Sequence, residues 1–220
     1  MLILRRLLVT GLVAGVAAGV LVSLAQQVRV IPLILVAETY ERREAGGSAE
    51  AAPQQELSRL ALTVAANTLT GIGFALLLAA AYAFQGRESS VKDGLLWGLA
   101  GYGVFVLSPA IGLPPELPGA PAVAVQARQL WWAGAAAAAA GGLAMGVFNQ
   151  RLWVNALGGA VIVLPHMLGA PHPPEGTIGT VPDELAQQFI AASLLTSALF
   201  WLFLGGFSGW LYRRLAPAAH

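Results

Sequence analysis

The sequence predicts an all-α protein, a polytopic bundle of transmembrane helices, from three observations. Of its 220 residues, 57% are hydrophobic and 10% are charged, whereas a soluble domain carries about 25% charged residues. The charged residues occur in short clusters along the chain. The apolar runs between the clusters reach about 18 residues or more, which is the length needed to cross a hydrocarbon core of about 30 Å. We therefore predict one integral membrane domain over residues 1–220 and exclude a soluble globular enzyme.

Six apolar runs are long enough to be candidate spans. They cover approximately residues 4–25, 60–84, 94–113, 128–148, 152–169 and 188–212. Pro32 follows the first run and predicts a kink or break near residues 28–32, because proline lacks the N–H that a helix interior requires. The fourth and fifth runs are separated by Asn149, Gln150 and Arg151 alone. Five spans are therefore the alternative to six.

The distribution of basic residues predicts the orientation. With six spans, seven basic residues fall on the side of the N-terminus and four on the other side. The seven are Arg5, Arg6, Arg87, Lys92, Arg151, Arg213 and Arg214, and the four are Arg42, Arg43, Arg59 and Arg128. Because cytoplasmic loops are enriched in Lys and Arg, we predict that both termini are cytoplasmic. The loops at residues 38–59, 114–127 and 170–187 would then face outward.

A cleaved signal peptide is the competing interpretation of the N-terminus. Arg5 and Arg6 would form its basic region, and Ser23 and Ala25 are small residues at the spacing of a cleavage site. The apolar run of about 19 residues is longer than the usual apolar region of a signal peptide. A permanent first span is therefore the preferred interpretation.

The composition and the missing motifs exclude several functions. The chain has no Cys, which excludes disulfides, thiolate metal sites and cysteine nucleophiles. Its net charge is +1 and it has one lysine, Lys92, so no basic patch indicates a nucleic-acid partner. A GxxxxGK[ST] loop, a GxSxG motif and an HExxH motif are all absent from the sequence. We therefore predict neither intrinsic ATP hydrolysis nor any enzyme activity.

Three spans carry glycines at helical spacing. They are Gly11, Gly15 and Gly19; Gly94, Gly98 and Gly101; and Gly205, Gly206 and Gly209. Small residues at this spacing allow a second helix to approach closely. The glycine faces predict close packing inside the bundle, and the alternative is a homo-oligomer or a hetero-oligomer with a partner helix.

Tryptophans such as Trp131 and Trp132 lie near span ends, where aromatic rings prefer the interface.

Polar side chains inside the spans are the next candidates for function. They include Gln26, Gln27 and Arg29 after the first span, Thr63, Asn67 and Thr70 in the second, Asn155 and His166 in the fifth, and Ser193, Thr196 and Ser197 in the sixth. An unpaired polar group in lipid is costly, so these side chains either line a polar path or form hydrogen bonds between helices.

The strongest chemical cluster is the segment LPHMLGAPHPPE at the predicted outer end of the fifth span. It contains His166, His172 and Glu175 within ten residues, on a backbone stiffened by four prolines. Imidazole and carboxylate donors suit Zn, Co or Ni, although the spacing matches no standard metal motif. A second outward cluster contains Glu38 and Glu41, which share a face if the segment is helical. For His166 the alternative is a histidine that pairs with a neighbouring helix, and for His172 it is a loop histidine in water. For Glu38 and Glu41 the alternative is a solvated helix end.

Four stretches resemble the CbtA family of predicted cobalt transporter subunits. They are LVAGVAAGVLVSLAQQVRVIPLILVAETYE, SPAIGLPPELPGAPAVAVQARQLWW, LPHMLGAPHPP and VPDELAQQFIAASLLTSALFWLFLGGFSGWLYRR. The resemblance implies a multi-pass protein of the bacterial inner membrane that imports cobalt for cobalamin synthesis. It also implies a partner, CbtB, which is a small single-span protein bearing histidines. The residues that match the family's motifs are Glu38, Glu41, Glu116, His166, His172 and Glu175.

Together these observations predict a membrane transport subunit, embedded in lipid, whose cargo is Co²⁺ and which needs no cofactor. We expect His166 and His172 to bind the ion at the outer face, with Glu175 or the Glu38 and Glu41 pair as the carboxylate ligands. The ion would then pass Asn155, Asn67 and the Gln26–Gln27 pair. The alternative is a non-transporting structural or assembly subunit whose glycine faces pack against a larger membrane complex.

Overall fold

The computed structural model describes residues 2–44, 53–86, 90–121, 123–174, 176–177 and 179–216. Within these ranges every regular element is a helix. In order they are α1 (Leu2–Val28), α2 (Val30–Glu44), α3 (Pro53–Gln85), α4 (Val91–Tyr102), a π-helical segment (Gly103–Leu107), α5 (Ser108–Gly112), α6 (Val125–Phe148), α7 (Leu152–Leu168) and α8 (Asp183–Arg214).

Five stretches of the described chain are long and apolar enough to cross a membrane. They are Ile3–Val28, Glu56–Gln85, Val91–Gly112, Val125–Phe148 and Asp183–Arg214. Helix α7, Leu152–Leu168, is apolar but has only 17 residues. This architecture confirms the predicted polytopic helical bundle.

Helices α1, α3, α6 and α8 extend beyond the predicted spans. Helix α2 continues to Glu44 and α3 begins at Pro53, so most of the predicted outer loop at residues 38–59 is helical. Arg42 and Arg43 lie in the last turn of α2, where cations interact favourably with the helix dipole. Pro53 occupies the first position of α3, where the missing N–H costs nothing.

A helix break separates α1 from α2 at Arg29. Pro32, in the first turn of α2, has no N–H to donate to the carbonyl of Val28, where α1 ends. The break therefore occurs where the sequence predicts it.

The chain forms two compact units. Unit 1 contains residues 1–31, 48–99 and 195–220, and unit 2 contains residues 32–47 and 100–194.

In unit 1, α1 runs antiparallel to α3. A Cβ on Gly11 would collide with the side chain of Leu76, and a Cβ on Gly19 would lie 2.7 Å from the backbone nitrogen of Thr68. Helices α4 and α8 make the same kind of contact, since a Cβ on Gly205 would lie 2.7 Å from the Cα of Gly98. Contacts of this kind cover Gly11, Gly15, Gly19, Gly94, Gly98, Gly205 and Gly209 with helices of the same unit, as expected for packing inside the bundle.

In unit 2, α6 and α7 form an antiparallel hairpin. A Cβ on Gly158 would lie 2.7 Å from the carbonyl oxygen of Gly142, so the two backbones approach closely. Val104 of the π-helical segment packs with Ala136 and Ala139 of α6 in a small buried cluster. Alanine and glycine on α6 therefore allow both neighbours to lie close to it.

Candidate functional site

His166 lies in the last turn of α7 and contacts two residues from other elements of unit 2. Its Nε2 atom lies 3.3 Å from the hydroxyl oxygen of Ser108, the first residue of α5. Its ring contacts the ring of Trp131 edge-on, with 5.7 Å between the ring centres. We call Ser108, Trp131 and His166 the His166 site.

The π-helical segment immediately precedes Ser108. The N–H of Ser108 donates to the carbonyl of Gly103, five residues earlier instead of four. Such a wide turn is rare and is often found at functional sites. Ser108 is buried, and Pro109 follows it within the same apolar stretch. The irregular turn and the Ser-Pro pair therefore position the hydroxyl group that contacts His166.

Two adjacent tryptophans of α6 hold this irregular helix. The indole N–H of Trp131 donates to the carbonyl of Pro109 at 3.3 Å, and that of Trp132 donates to the carbonyl of Phe105 at 3.2 Å. The Trp132 ring also stacks on the Phe105 ring, with 6.1 Å between centres. The sequence predicts interfacial positions for both rings, and the structure adds specific hydrogen bonds to the backbone.

Gly112 provides the space that the Trp131 ring occupies. A Cβ at this position would lie 2.7 Å from the Cε2 atom of Trp131 and 2.9 Å from the Cβ of Ala170. The end of α5, the start of α6 and the residues after α7 therefore meet at Gly112. A side chain here would displace the ring that contacts His166.

The second ring nitrogen of His166, Nδ1, is buried and has no hydrogen-bond partner. A buried polar atom without a partner costs about 1–3 kcal/mol. If Nε2 donates its proton to the Ser108 oxygen, Nδ1 is left with a free lone pair. In that tautomer His166 presents a buried atom able to accept a metal ion or a proton.

The other predicted metal ligands have different environments. His172 is exposed in the segment after α7. Glu38 and Glu41 lie on α2, where Glu38 is half-buried and Glu41 is exposed. Glu175 lies outside the described residues. No group of three or more His, Asp or Glu residues in the described part of the chain is placed to hold a metal ion, and the complete ligand set stays a prediction.

The connector after α5 is held by an ion pair and by a hydrogen bond to the segment before α8. Glu116 and Arg128 form the ion pair at 2.7 Å. The N–H of Thr180 donates to the carbonyl of Gly119 at 3.1 Å. Gly119 has φ +80°, a conformation that glycine adopts without strain. Glu116 therefore has a structural partner, and the segment following the histidines is tied to the connector.

Comparison with known proteins adds the family. The family model described as "Probable cobalt transporter subunit (CbtA)" matches residues 4–213, nearly the whole chain. The chain belongs to the CbtA family. No match is found among curated proteins or solved structures. The resemblance expected from the sequence motifs is confirmed, and the chain is a multi-pass membrane protein of a family of transporter subunits.

In this CbtA-family chain, the residues of the predicted polar path lie in different environments. The side-chain amide of Asn67 donates to the Ser23 hydroxyl at 3.0 Å and to the side-chain oxygen Oε1 of Gln26 at 2.7 Å. Ser23 in turn donates to the carbonyl of Gly19 at 2.7 Å. These bonds join α1 and α3 within unit 1, which is the interhelical alternative that the sequence left open. Asn155 is exposed on α7.

Sequence reasoning missed two residues of the His166 site, Ser108 and Trp131. A signal for Ser108 was present, because a Ser-Pro pair inside an apolar span predicts an irregular turn with a hydroxyl group beside it. Trp131 had no comparable signal. Its ring reaches His166 through the packing of α6 against α5, and residue spacing does not encode that packing.

Proposed function

We propose that this CbtA-family subunit carries Co²⁺ across the bacterial inner membrane to supply cobalamin synthesis. The capture site would lie at the outer face and include His166 and His172, with Glu175, Glu38 or Glu41 as carboxylate ligands. The observation that carries the proposal is the buried and unpartnered Nδ1 atom of His166. An unsatisfied imidazole nitrogen in an apolar span favours a function that supplies its partner.

The chemistry of the donor set supports a transition-metal ion as cargo. Imidazole binds Co²⁺, Ni²⁺ and Zn²⁺ well, whereas ions such as Mg²⁺ prefer oxygen ligands. Transport requires that the ion be released after it binds, which favours few ligands and a mixed nitrogen and oxygen set. Ser108 would contact Nε2, orient the imidazole and leave Nδ1 for the metal. In metal sites, groups that hydrogen-bond to a histidine ligand commonly orient it in this way.

We further propose that the subunit works with a second membrane protein, the small single-span CbtB. The description of the family as a transporter subunit supports a partner. A histidine-bearing partner would supply the ligands that complete a site built around His166. Co-purification of the two chains in mild detergent tests this association directly.

Uptake of radiolabelled cobalt into cells tests the site. We expect the His166→Ala, His172→Ala double variant to lose most uptake at equal membrane expression. His220→Ala is the matched control, since it removes an imidazole that the proposal does not use, and it should transport normally. Unchanged uptake in the double variant would show that these histidines are not the capture site. If uptake is lost when the protein is absent but is kept when both histidines are replaced, the result would instead support a structural or assembly subunit.

A further inference from the structure

One end of unit 1 collects the basic residues of three helices. We call Arg5, Arg6, Lys92, Arg213 and Arg214 the basic end. The start of α1 reaches the end of α8 through a hydrogen bond of 2.5 Å from Arg6 Nε to the carbonyl of Tyr212. The start of α4 reaches the same part of α8, because a Cβ on Gly209 would lie 2.8 Å from the Cα of Gly94.

Arg6 itself has a structural role at this end. Its guanidinium carbon lies 3.6 Å from the centre of the Tyr212 ring, and one of its nitrogens, Nη2, is buried without a hydrogen-bond partner. The carbonyl that it contacts is in the last turn of α8, the negative end of the helix dipole. Arg6 therefore joins the start of α1, which carries Arg5, to the end of α8, which carries Arg213 and Arg214.

The remaining four cations of the basic end are exposed. They are Arg5, Lys92, Arg213 and Arg214. Asp93 is the acidic residue in the described part of this end, and its carboxylate accepts hydrogen bonds from the N–H and the hydroxyl of Ser90 at 3.0 and 2.7 Å. That carboxylate stabilises the start of α4. The exposed surface therefore carries a positive charge that one carboxylate does not balance.

Apolar and aromatic side chains adjoin these cations. Ile3, one turn from the arginines of α1, has 67% of its surface exposed, and Leu8 has 52%. Trp210 is also exposed, and the Arg214 guanidinium lies 5.7 Å from its ring centre. Exposed cations beside exposed apolar side chains match a molecule with an anionic head and hydrocarbon tails.

We propose that the basic end binds the headgroup phosphate of an anionic phospholipid. Arg213 and Arg214 would contact the phosphate oxygens, Arg5 and Lys92 would add to the attraction, and the acyl chains would lie along the apolar surface around Ile3. A soluble phosphate would use the charges and leave that apolar surface uncovered, which is why a lipid is the favoured ligand. The proposal does not depend on the identity of the transported ion.

Thermal unfolding of the purified full-length protein in detergent, with phosphatidylglycerol added, tests the proposal. Each cation near an anionic lipid surface contributes about 1 kcal/mol, so Arg213→Gln with Arg214→Gln should weaken the apparent lipid affinity about 30-fold. Lys92→Gln removes one charge from a different helix and should weaken it about 5-fold. Arg42→Gln with Arg43→Gln is the matched control, because this adjacent pair lies on α2 and should leave the affinity unchanged.

Three results would overturn the proposal. The first is an equal shift of the melting temperature with phosphatidylglycerol and phosphatidylcholine. The second is an equal loss of affinity in the control pair and in the Arg213, Arg214 pair. The third is stabilisation by glycerol phosphate at the same concentration as the lipid, which would assign the cations to a soluble anion. Stabilisation that phosphatidylglycerol alone produces, and that falls with added salt, would support it.

Discussion

The indole N–H of Trp132 donates a hydrogen bond of 3.2 Å to the carbonyl of Phe105, which lies four residues before Pro109. In a regular helix that carbonyl would accept from residue 109, but proline has no N–H to donate. A side chain of α6 therefore supplies the donor that the proline removes from the neighbouring helix. The hydrogen bond from Trp132 also helps to hold in place the helical segment that carries Ser108, the residue that contacts His166.

We predict that Trp132→Phe lowers the free energy of unfolding by about 0.5–1.5 kcal/mol, because an aromatic ring remains while the hydrogen-bond donor to Phe105 is lost. Thermal unfolding in detergent measures the change. The Pro109→Ala background offers a stricter test, since alanine restores an N–H at position 109 and should make Trp132→Phe less damaging. Trp153→Phe, at an exposed position of α7, is the control and should have little effect. Equal costs of Trp132→Phe in both backgrounds would contradict this explanation.

We also predict that Ser108→Ala weakens cobalt uptake without abolishing it. The substitution removes the hydroxyl that contacts His166 Nε2, and loss of such an orienting partner usually costs 10–100-fold in metal affinity. The cobalt concentration for half-maximal uptake should therefore rise about 10-fold or more. Ser58→Ala, at an exposed position of α3 outside the predicted polar path, is the matched control. If Ser108→Ala behaves like the control, Ser108 has no role in orienting the imidazole.

The sequence predicts the architecture well because the membrane constrains each span separately. Apolar length and the position of Pro32 are local properties, so the runs of apolar residues and the break at Arg29 follow from them directly. The His166 site depends on contacts between segments that are distant in the chain. Ser108 and His166 are 58 positions apart, and a π-helical turn sets the direction of the serine side chain. No periodicity in the sequence contains that information.

A third prediction concerns the glycine contact between α4 and α8. Gly205→Ala should destabilise the protein by about 1–3 kcal/mol, because the new Cβ would lie 2.7 Å from the backbone Cα of Gly98, which cannot move aside like a side chain. Gly141→Ala is the matched control, since a Cβ there meets nothing within 4 Å. Melting temperatures in detergent compare the two. Equal melting temperatures for the two variants would show that α4 and α8 do not approach closely at Gly205.

A fourth prediction concerns the number of crossings. Arg6 of α1 contacts Tyr212 of α8, so the first span begins and the last span ends at the same end of unit 1. Both residues then lie on the same side of the membrane, so the chain crosses it an even number of times. The five long spans make an odd number, and α7 would be the sixth crossing. The 17 residues of α7 are at the short limit of about 17–25 residues for a membrane-spanning helix. We therefore predict that α7 crosses the membrane.

Single cysteines can test this topology, because the natural chain contains none. With an impermeant maleimide on intact cells, Thr177→Cys after α7 should react, whereas Gln150→Cys before α7 and Leu215→Cys after α8 should react only once the membrane is permeabilised. The positive-inside count of the sequence predicts this direction, and the contact between Arg6 and Tyr212 predicts that residues 150 and 215 behave alike. Labelling of Gln150→Cys and Thr177→Cys from the same side would mean that α7 does not cross the membrane.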